Sequence, residues 1–588
     1  MNDIIWLTMR RMRTPLIILI LVYSLSVMGM VYIPTMDSEG NAGSMGYLNA
    51  AYLVAVLATT IGFGEIPYAF SHAQRLYVFI ILLPNVVAWL YSIGTILGLF
   101  LDPQFRSVMR MTRFGQKIRW LGDDFYIVCG FGNTGTMITQ GLINRGLSAV
   151  VLERDEEVVH RMSLVDEFSH LPALSGNCAD RRLLEMAGMQ RNNCRGIIAI
   201  TNENHANLTI AITSKLLRPD LPVLARSEDK RVSDNLDSFG TDYIIDPYAI
   251  FAERLFLLLS SPTKYLVQDW LISVPGSHLR ERVDPPSGRW IIAGMGRFGS
   301  RMAQRLDEAA LPYTVIDVRE NRIRKQPKDV LGRGTEADTL LEAEIDTACG
   351  IIAGTGDDID NLSIIMTARN LNPELFIVAR QEKQQNDELF DASGAHLIAR
   401  RSLIVARRVL AVATTPLLQI FLEHMVTQDD DFAHRVHARL ASVLKQRAPH
   451  LWIIDLKGQT DRGLHTATVE HVEVRLEHIT HNTRSETAES LDCVPLVLER
   501  GALRIFLPEP DKILHEGDRL LFAGRAPAHR EMMWALQDPD LLMSYATGRH
   551  APTGSLGRWW QRRKQKAQAA RHQAKDQTED QAREQTKD

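Results

Sequence analysis

Two long uncharged apolar runs lie near the start of the chain. Residues 14–32 hold 19 apolar or weakly polar side chains, and residues 76–101 form a second such run. At about 1.5 Å per helical residue the first run reaches roughly 28 Å, enough to cross a hydrocarbon core of about 30 Å. A moderately apolar stretch, residues 46–60, lies between them. The pattern predicts a membrane span over 14–33, a short helix over 46–60 and a second span over 76–101.

The charges beside these runs predict their orientation. Arginines 10, 11 and 13 precede the first span, and five basic residues follow the second between positions 106 and 119, whereas the loop between the spans carries acidic residues. The positive-inside rule then places both termini in the cytoplasm and the short loop outside. A signal peptide followed by a buried helix is disfavoured, because no small-residue cleavage site follows the first run.

A glycine-containing segment joins the short helix to the second span. Its residues are Thr60, Ile61, Gly62, Phe63 and Gly64, and Glu65 follows. Glycine permits unusual backbone angles, so a short segment can aim its carbonyl oxygens at one axis and replace the hydration shell of K+. The segment resembles the potassium-channel signature TTVGYGD. The resemblance implies a K+ selectivity filter completed by four subunits, with Phe63 and Glu65 as departures that leave K+ preferred over Na+ in a less rigid filter.

Beyond the spans, apolar strands alternate with glycine turns and helices, and the pattern occurs twice. Each GxGxxG turn follows a predicted strand, and an acidic residue ends the next strand 23 positions after the first glycine. The first copy has Gly130, Gly132, Asn133, Thr134, Gly135, Glu153 and Arg154; the second has Gly294, Gly296, Arg297, Phe298, Gly299 and Asp317. This is the dinucleotide fingerprint, in which the helix N-terminus faces a pyrophosphate and the acid binds a ribose hydroxyl.

Further matched segments follow each turn in the same order. Examples are Gly196-Ile-Ile-Ala with Gly350-Ile-Ile-Ala, and Pro222-Val-Leu-Ala-Arg with Leu375-Phe-Ile-Val-Ala-Arg. One GxGxxG is weak evidence, but two with several shared downstream segments predict a duplicated α/β domain.

These segments resemble RCK domains, which are related to TrkA-type transport regulators, and the whole resembles prokaryotic two-span potassium channels with tandem RCK domains. The resemblance implies a helical two-span pore domain, two Rossmann-like parallel-sheet RCK domains and one small C-terminal α+β lobe. The expected domains are a pore domain 1–105, a linker 106–123, a first RCK domain 124–271, a second lobe with crossover helices 289–425, a C-terminal lobe 445–526 and a disordered tail 550–588.

The second span is expected to line the pore, and Gly94 and Gly98 within it are candidate bending points. No arginine-rich voltage-sensing span precedes the pore, so steep voltage gating is not expected. The run of three aspartates, 429–431, reads as a solvated loop rather than a Ca2+ site. The five cysteines are scattered without a CxxC pair, so free thiols are expected, and the metal question stays open.

The resulting prediction is a potassium channel, not an enzyme, gated by NAD(H) or an adenine nucleotide, with Ca2+ as an open alternative. The resemblance implies a homotetramer in the inner (plasma) membrane, in contact with lipid and with a cytoplasmic ring of eight RCK domains. The net charge of -4 gives no case for a nucleic-acid partner. The alternatives are a nucleotide-sensing subunit of a K+ transporter and a membrane-bound NAD-dependent oxidoreductase, which would need a substrate domain that the sequence lacks.

Overall fold

The computed structural model describes residues 2–36, 42–62, 70–323, 328–456, 462–481 and 490–547. The chain divides into two compact units, the first formed by residues 1–127 and 149–194 and the second by residues 128–148 and 195–588. Each unit is taken by itself below, and the boundary between them passes through the first of the two sequence repeats.

The N-terminal part is helical apart from one small hairpin. Its elements are α1 (Asn2–Tyr32), β1 (Thr35–Met36), β2 (Ala42–Gly43), α2 (Tyr47–Ala58), α3 (His72–Leu101) and α4 (Pro103–Trp120). Two helical segments, Met12–Tyr32 and His72–Gly98, are long and apolar enough to cross a membrane. The two predicted spans and the short apolar helix between them are therefore confirmed as helices.

Small and polar residues hold α1 against α3. A Cβ on Gly29 would fall about 2.0 Å from the hydroxyl of Tyr77, so only glycine lets that ring lie flat on α1. The Tyr77 hydroxyl donates to the Leu25 carbonyl at 2.9 Å, and buried Asn85 donates to the Ser26 hydroxyl at 2.7 Å. Close contact through glycine and interhelical hydrogen bonds is how helices associate in apolar surroundings.

The first repeat alternates strands and helices. Its elements are β3 (Phe125–Cys129), α5 (Asn133–Ile143), β4 (Ser148–Glu153), α6 (Glu156–Leu164), α7 (Asp166–Ser169), β5 (Ala173–Ser175), α8 (Arg181–Met186), β6 (Cys194–Ala199), α9 (Asn204–Leu217), β7 (Val223–Arg226), α10 (Lys230–Ser238) and β8 (Tyr243–Ile245). Two crossover helices follow, α11 (Pro247–Ser260) and α12 (Pro262–Ile272). In the first unit β4 pairs with β5, in the second β6, β7 and β8 pair in that order, and all of these pairs are parallel.

The second repeat lies wholly in the second unit. Its elements are β9 (Trp290–Ala293), α13 (Arg297–Glu308), β10 (Tyr313–Asp317), β11 (Val330–Leu331), α14 (Ala337–Glu342), β12 (Gly350–Ala353), α15 (Asp358–Leu371), β13 (Phe376–Gln381), α16 (Asp387–Ala392) and β14 (Leu397–Arg400). The strands form one parallel sheet in the order β11-β10-β9-β12-β13-β14. This is the doubly wound order of a dinucleotide-binding fold, so the predicted Rossmann-like fold class is confirmed.

Two more crossover helices, α17 (Arg401–Thr414) and α18 (Pro416–Thr427), follow at a bend of 112°. Together they are apolar enough to count as one broken membrane span. Their apolar side chains are instead buried in the protein, because Leu417 and Phe421 pack in one core with Leu266 and Val436. Pro416 at the bend has no N–H to continue the first helix, as Pro262 has none between α11 and α12.

A four-stranded antiparallel sheet closes the described chain. Its elements are α19 (Asp430–Leu444), β15 (His450–Asp455), α20 (Arg462–Val469), α21 (Leu476–Ile479), β16 (Cys493–Arg500), β17 (Leu503–Phe506), β18 (Arg519–Gly524), α22 (Ala526–Gln537) and α23 (Pro539–Thr547). The strand order is β15-β18-β16-β17. Met532 and Leu542 of the last two helices pack on this sheet, so the lobe continues beyond the expected end at 526. The expected disordered tail 550–588 lies outside the described residues.

Candidate functional site

The filter segment follows directly from α2. Thr59 caps that helix, and the next residues include two with left-handed backbone, Thr60 at φ 57° and Gly62 at φ 66°. Ile61 between them lacks a positive φ, so the handedness alternates from residue to residue. Alternation of this kind turns successive carbonyl groups toward one side of the chain, and a left-handed threonine is uncommon enough to suggest a functional constraint. Phe63, Gly64 and Glu65 lie outside the described residues.

The candidate bending points lie in an unbroken helix. Gly94 and Gly98 are both exposed in α3, and a Cβ on either would meet nothing within 4 Å. A third candidate, which the sequence reasoning missed, is Pro84, which also lies inside α3. Its ring removes the hydrogen bond to the carbonyl four residues earlier and so weakens the helix there.

The predicted linker is the helix α4, and it is fastened to the first repeat within the first unit. The Arg191 guanidinium donates to the carbonyls of Ile118 at 2.6 Å and Leu121 at 2.8 Å. Asn193 donates to Leu121 and to Asp123, at 3.1 and 2.8 Å. Capping of the last carbonyls by these side chains ties the end of α4 to the loop before β6.

In the second glycine turn, two glycines are required by the fold and one is not. A Cβ on Gly294, whose φ is +99°, would lie 3.0 Å from the Thr355 amide nitrogen, and a Cβ on Gly299 would lie 2.1 Å from the Gly294 carbonyl oxygen. A Cβ on Gly296 would meet only the far end of Arg322, at 3.8 Å. The middle glycine therefore keeps open space where the fingerprint brings a pyrophosphate close to the backbone.

The glycine turn of the first repeat, which lies in the second unit, shows the same difference between its glycines. Gly130 has a φ of +104° and lies against the backbone of Thr201, and a Cβ on Gly135 would fall 2.1 Å from the Gly130 carbonyl oxygen. A Cβ on Gly132 would meet nothing within 4 Å. Neither α5 nor α13, which begin at these turns, has a side-chain N-cap. Each helix thus offers its N-terminal N–H groups and dipole to an anion.

Asp317 is nearly buried, at 6% exposure, and faces the glycine turn of its own repeat. One of its carboxylate oxygens accepts from the Met295 amide at 2.8 Å, the other accepts from the Arg319 amide at 2.9 Å, and Arg322 lies 3.9 Å away. Each oxygen retains a second lone pair for a ribose hydroxyl. The acid predicted from sequence therefore reaches the turn, but it also fixes the turn's shape.

Glu153, the matching acid of the first repeat, lies in the first unit. Its Oε1 accepts from the amide of Arg154 at 2.6 Å and from that of Asp155 at 3.1 Å. Asn133 begins α5, and Thr134 beside it is buried. These residues occupy the positions that Arg297 and Phe298 hold in the second repeat.

A buried asparagine braces the end of a strand in each repeat. Asn361 accepts at its Oδ1 from the amide and the hydroxyl of Thr355, at 2.9 and 2.8 Å, and donates to the Arg380 carbonyl at 2.9 Å. Asn207 makes the equivalent bonds to Thr201 and Arg226 at the same distances.

Arg297, predicted beside a phosphate, contacts an acid of the other repeat in this structure. Its Nη1 lies 3.3 Å from Oε2 of Glu228, which also pairs with Arg226 and lies 3.4 Å from Arg401. Burial would raise the pKa of Glu228, but Arg226, Arg401 and Arg297 outweigh it and hold that pKa below its ordinary value. Sequence reasoning missed this cluster, because it joins side chains more than 160 residues apart.

Glu382 holds the matching position in the second repeat. It accepts from Arg380 at 2.6 Å, lies 3.1 Å from Arg401, and accepts from the Tyr248 hydroxyl at 3.2 Å. Arg401 therefore bridges the two glutamates. We refer to Arg226, Glu228, Tyr248, Arg297, Arg380, Glu382 and Arg401 as the inter-repeat cluster.

Among the described residues, no group of three or more histidine, cysteine or acidic side chains is arranged to hold a metal ion. The aspartate run belongs to a helix start and not to a loop, which corrects the expectation for it. Asp429 caps α19 by accepting from the Phe432 amide at 2.9 Å, and Asp430 accepts from the Ser261 hydroxyl at 2.6 Å. A carboxylate at a helix N-terminus satisfies free N–H groups and the dipole.

Comparison with known proteins identifies the two repeats. A family model for the TrkA-N domain matches residues 126–247 and 290–400. Potassium channel protein 1 of Methanocaldococcus jannaschii is 24% identical over 217 residues, which are 37% of this chain and 63% of that protein. Probable potassium channel protein 2 of the same organism is 25% identical over 199 residues, 32% and 57% of the two chains. The chain thus covers less than two thirds of either relative.

Another relative is a potassium uptake protein homolog, and similar solved structures include a channel. A Trk system potassium uptake protein TrkA homolog of Archaeoglobus fulgidus is 21% identical over 369 residues, 50% of this chain and 83% of that one. A GsuK channel bound to NAD is 18% identical with a TM-score of 0.46, covering 91% of this chain and 99% of its own. A GsuK structure bound to ADP is 20% identical with a TM-score of 0.43, covering 70% and 99%.

Proposed function

We propose that this chain, which carries two TrkA-N domains after two helices able to cross a membrane, is a ligand-gated potassium channel. The observation that carries the proposal is the left-handed backbone at Thr60 and Gly62, at the end of a short apolar helix between the two spans. One such segment supplies a quarter of a K+ cage, so the active form is a homotetramer in lipid, with eight TrkA-N domains in its cytoplasmic ring.

The filter comprises Thr60, Ile61, Gly62, Phe63 and Gly64. The protein is a multi-pass protein of the inner (plasma) membrane with both termini cytoplasmic, which the charges beside the spans support.

The gating ligand is NAD(H) or an adenine nucleotide such as ADP or ATP. Open space at Gly132 and Gly296 and the uncapped starts of α5 and α13 support phosphate binding at both turns. In the first turn Asn133, Thr134 and Gly135 begin the helix, Glu153 ends the following strand, and Arg154 comes directly after it. The domains act by binding and not by catalysis, because the chain offers no substrate domain beside a nicotinamide.

Helix α4 transmits the conformational change that follows nucleotide binding to the pore. Its end is held by Arg191 and Asn193, and its start follows α3 after one residue. A nucleotide that binds one state of the domains more tightly would move α4 and so shift α3 between closed and open positions.

The test is recording from the purified full chain in planar bilayers. With a K+ gradient opposed by Na+, the reversal potential should lie near the equilibrium potential of K+. NAD(H), ADP, ATP and Ca2+ are then added in turn to the cytoplasmic side. Gly62→Ala, which strains a residue at φ 66°, should abolish K+ selectivity. Gly46→Ala is the control, since Gly46 caps the other end of the same short helix α2 and has an ordinary φ of -64°. Equal permeability to K+ and Na+ in the unmodified chain would contradict the proposal.

A second set of variants shows which repeat senses the nucleotide. Glu153→Ala and Asp317→Ala each remove one ribose acceptor. The channel's response to nucleotide should fall in the variant that alters the ligand-sensing repeat. Unchanged responses in both variants would exclude these acids as ribose acceptors. NADH absorbance in the same solutions should stay constant, and its steady loss would favour an oxidoreductase.

The second candidate is a nucleotide-sensing subunit of a K+ transporter. The TrkA homolog from Archaeoglobus fulgidus favours it, because half of this chain aligns with that protein. Conductance of the purified chain alone separates the two, since a regulatory subunit conducts nothing without its transporter.

A further inference from the structure

A cavity lined with arginine lies among the crossover helices of the second unit. It measures about 70 Å³ and is enclosed by α11, α12, α17 and the end of β14. Its cations are Arg254, Arg280, Arg400, Arg407 and Arg408, and its one acid is Asp269. We call this the arginine cavity. It contains none of the residues of the glycine turns or of the inter-repeat cluster.

Two of the five cations have acidic partners. Arg254 pairs with Asp269 at 2.5 Å. Arg400 pairs with Asp391 and lies 3.6 Å from Asp387, both outside the cavity. The one acid that lines the cavity is therefore already neutralised by a neighbour.

The other cations lack a negative partner that lines the cavity. Arg408 donates to the neutral side chain of Gln419. The Nε of Arg407 is buried and has no hydrogen-bond partner. Burial lowers the pKa of both guanidiniums, and repulsion from Arg254 lowers that of Arg407 further. Attraction by Asp269 partly offsets the effect on Arg407, and attraction by Glu253 and Glu423 partly offsets that on Arg408. A buried guanidinium N–H without an acceptor is still costly, so the arrangement favours an added anion.

We propose that the arginine cavity is a binding site for a tetrahedral oxyanion, either free phosphate or sulfate or the terminal phosphate of a metabolite. A cavity needs about 10–15 Å³ for each water-sized atom, so its volume fits the five heavy atoms of phosphate. Guanidinium groups present planar forks of N–H donors that match such oxygens, and the unpartnered Nε of Arg407 is one of them.

The site would tie the crossover helices of the two repeats together. Arg254 lies on α11 of the first repeat, and Arg407 lies on α17 of the second. Helix α17 also packs on α5 through Leu410, whose Cδ1 would lie 2.3 Å from a Cβ on Gly141. An anion bound to both arginines would therefore stabilise one arrangement of these helices. Binding is a property of the chain and does not depend on the proposed conductance.

The test is equilibrium dialysis of radiolabelled orthophosphate against the full chain, purified in detergent without phosphate or sulfate. The expected result is saturable binding of one phosphate per chain, displaced by sulfate but not by chloride at equal ionic strength. Arg407→Gln should weaken binding by about tenfold or more, the effect of losing a charged hydrogen bond. Arg530→Gln, at an exposed arginine of α22, should leave binding unchanged. Equal affinities in the two variants would overturn the proposal.

Thermal unfolding gives a second readout. Without phosphate, Arg407→Gln should raise the melting temperature, because it removes a charged group whose Nε is buried without a hydrogen-bond partner. It should also abolish the rise that phosphate produces in the unmodified chain. If Arg407→Gln fails to fold, Arg408→Gln replaces it in the binding and unfolding measurements. A phosphate effect no larger than that of chloride would overturn the site.

Competition by ADP identifies the source of the oxyanion. Displacement of phosphate by ADP that persists in Gly296→Ala supports a phosphorylated metabolite in the cavity. Failure of ADP to displace phosphate supports the free anion.

Discussion

The two repeats that the TrkA-N model matches share the contacts that build their fold and differ in the residues at the start of the helix after the glycine turn. Both close their glycine turns by packing the third glycine on the first carbonyl, and both brace a strand end with a buried asparagine. At the helix start, however, the first repeat has Asn133 and Thr134 where the second has Arg297 and Phe298. Phe298 is fully buried, and Arg297 turns to Glu228 of the first repeat.

This difference suggests unequal roles. In the second repeat the residue best placed to meet a phosphate is engaged in the inter-repeat cluster, and Asp317 supports the turn itself. Binding there would compete with contacts between the repeats. A duplicated fold can thus keep two similar glycine turns while only one of them contacts the other repeat.

The largest expected effect comes from Glu228→Gln. Glu228 is 6% exposed and pairs with Arg226, which is equally buried, so the change leaves a buried cation unpaired. The free energy of unfolding should fall by about 3–5 kcal/mol, the usual result of breaking a buried ion pair. Denaturant unfolding of the full chain measures it. Glu382→Gln is the matched control and should cost less, because Glu382 is more exposed and also has a neutral partner, Tyr248. Equal losses would mean that the repeats contribute equally to the cluster.

Asn207→Ala and Asn361→Ala should lower the free energy of unfolding by similar amounts. Each leaves a buried amide and a buried carbonyl without a partner, at about 1–3 kcal/mol per group, so a loss of at least about 2 kcal/mol is expected in each variant. Equal shifts in the denaturant midpoint would show that the two asparagines stabilise the chain equally. A loss confined to one variant would contradict the symmetry described above.

The glycine turn separates fold from ligand binding. Gly299→Ala should cost about 2–3 kcal/mol, the upper part of the range for overpacked sites, because its Cβ would strike a backbone oxygen that cannot rotate away. Gly296→Ala should leave the melting temperature almost unchanged and weaken nucleotide binding, measured by calorimetry. If Gly296→Ala also unfolds the chain, the open space beside it is not reserved for a ligand.

The smallest effect concerns the C-terminal lobe, for which the first repeat has no counterpart. His450 and His529 lie with ring centroids 5.4 Å apart, and burial lowers the pKa of both. Their folded pKa values lie below the unfolded value of 6.5, so the unfolded chain binds more protons in acid. Their contribution is complete above pH 6.5 and is lost as the pH falls through the folded pKa values.

The melting temperature should therefore fall more steeply below pH 6.5 in the unmodified chain than in a variant with glutamine at both positions. Glutamine at the exposed His205 is the control and should leave the profile unchanged. Parallel profiles in all three proteins would contradict the assignment.

The sequence predicted most of the fold because its signals are local. Uncharged runs of sufficient length gave the two spans, and the glycine turns with their acids gave the duplicated parallel sheets. It misjudged the aspartate run, because an N-cap and a solvated loop use the same residues. It did not reveal the contact of Arg297 with Glu228, because these residues are far apart in the chain.

By itself, then, the sequence determined the spans, the filter-like segment and the two nucleotide folds, since backbone periodicity and glycine geometry depend on neighbouring residues. Only the tertiary structure decided which charges meet. Arg401 reaches glutamates of both repeats, and the Nε of Arg407 is buried without a hydrogen-bond partner, because folding brings together helices and strand ends that are far apart in the chain. Electrostatic partnership depends on distance and burial in space, and neither can be read from order along the chain.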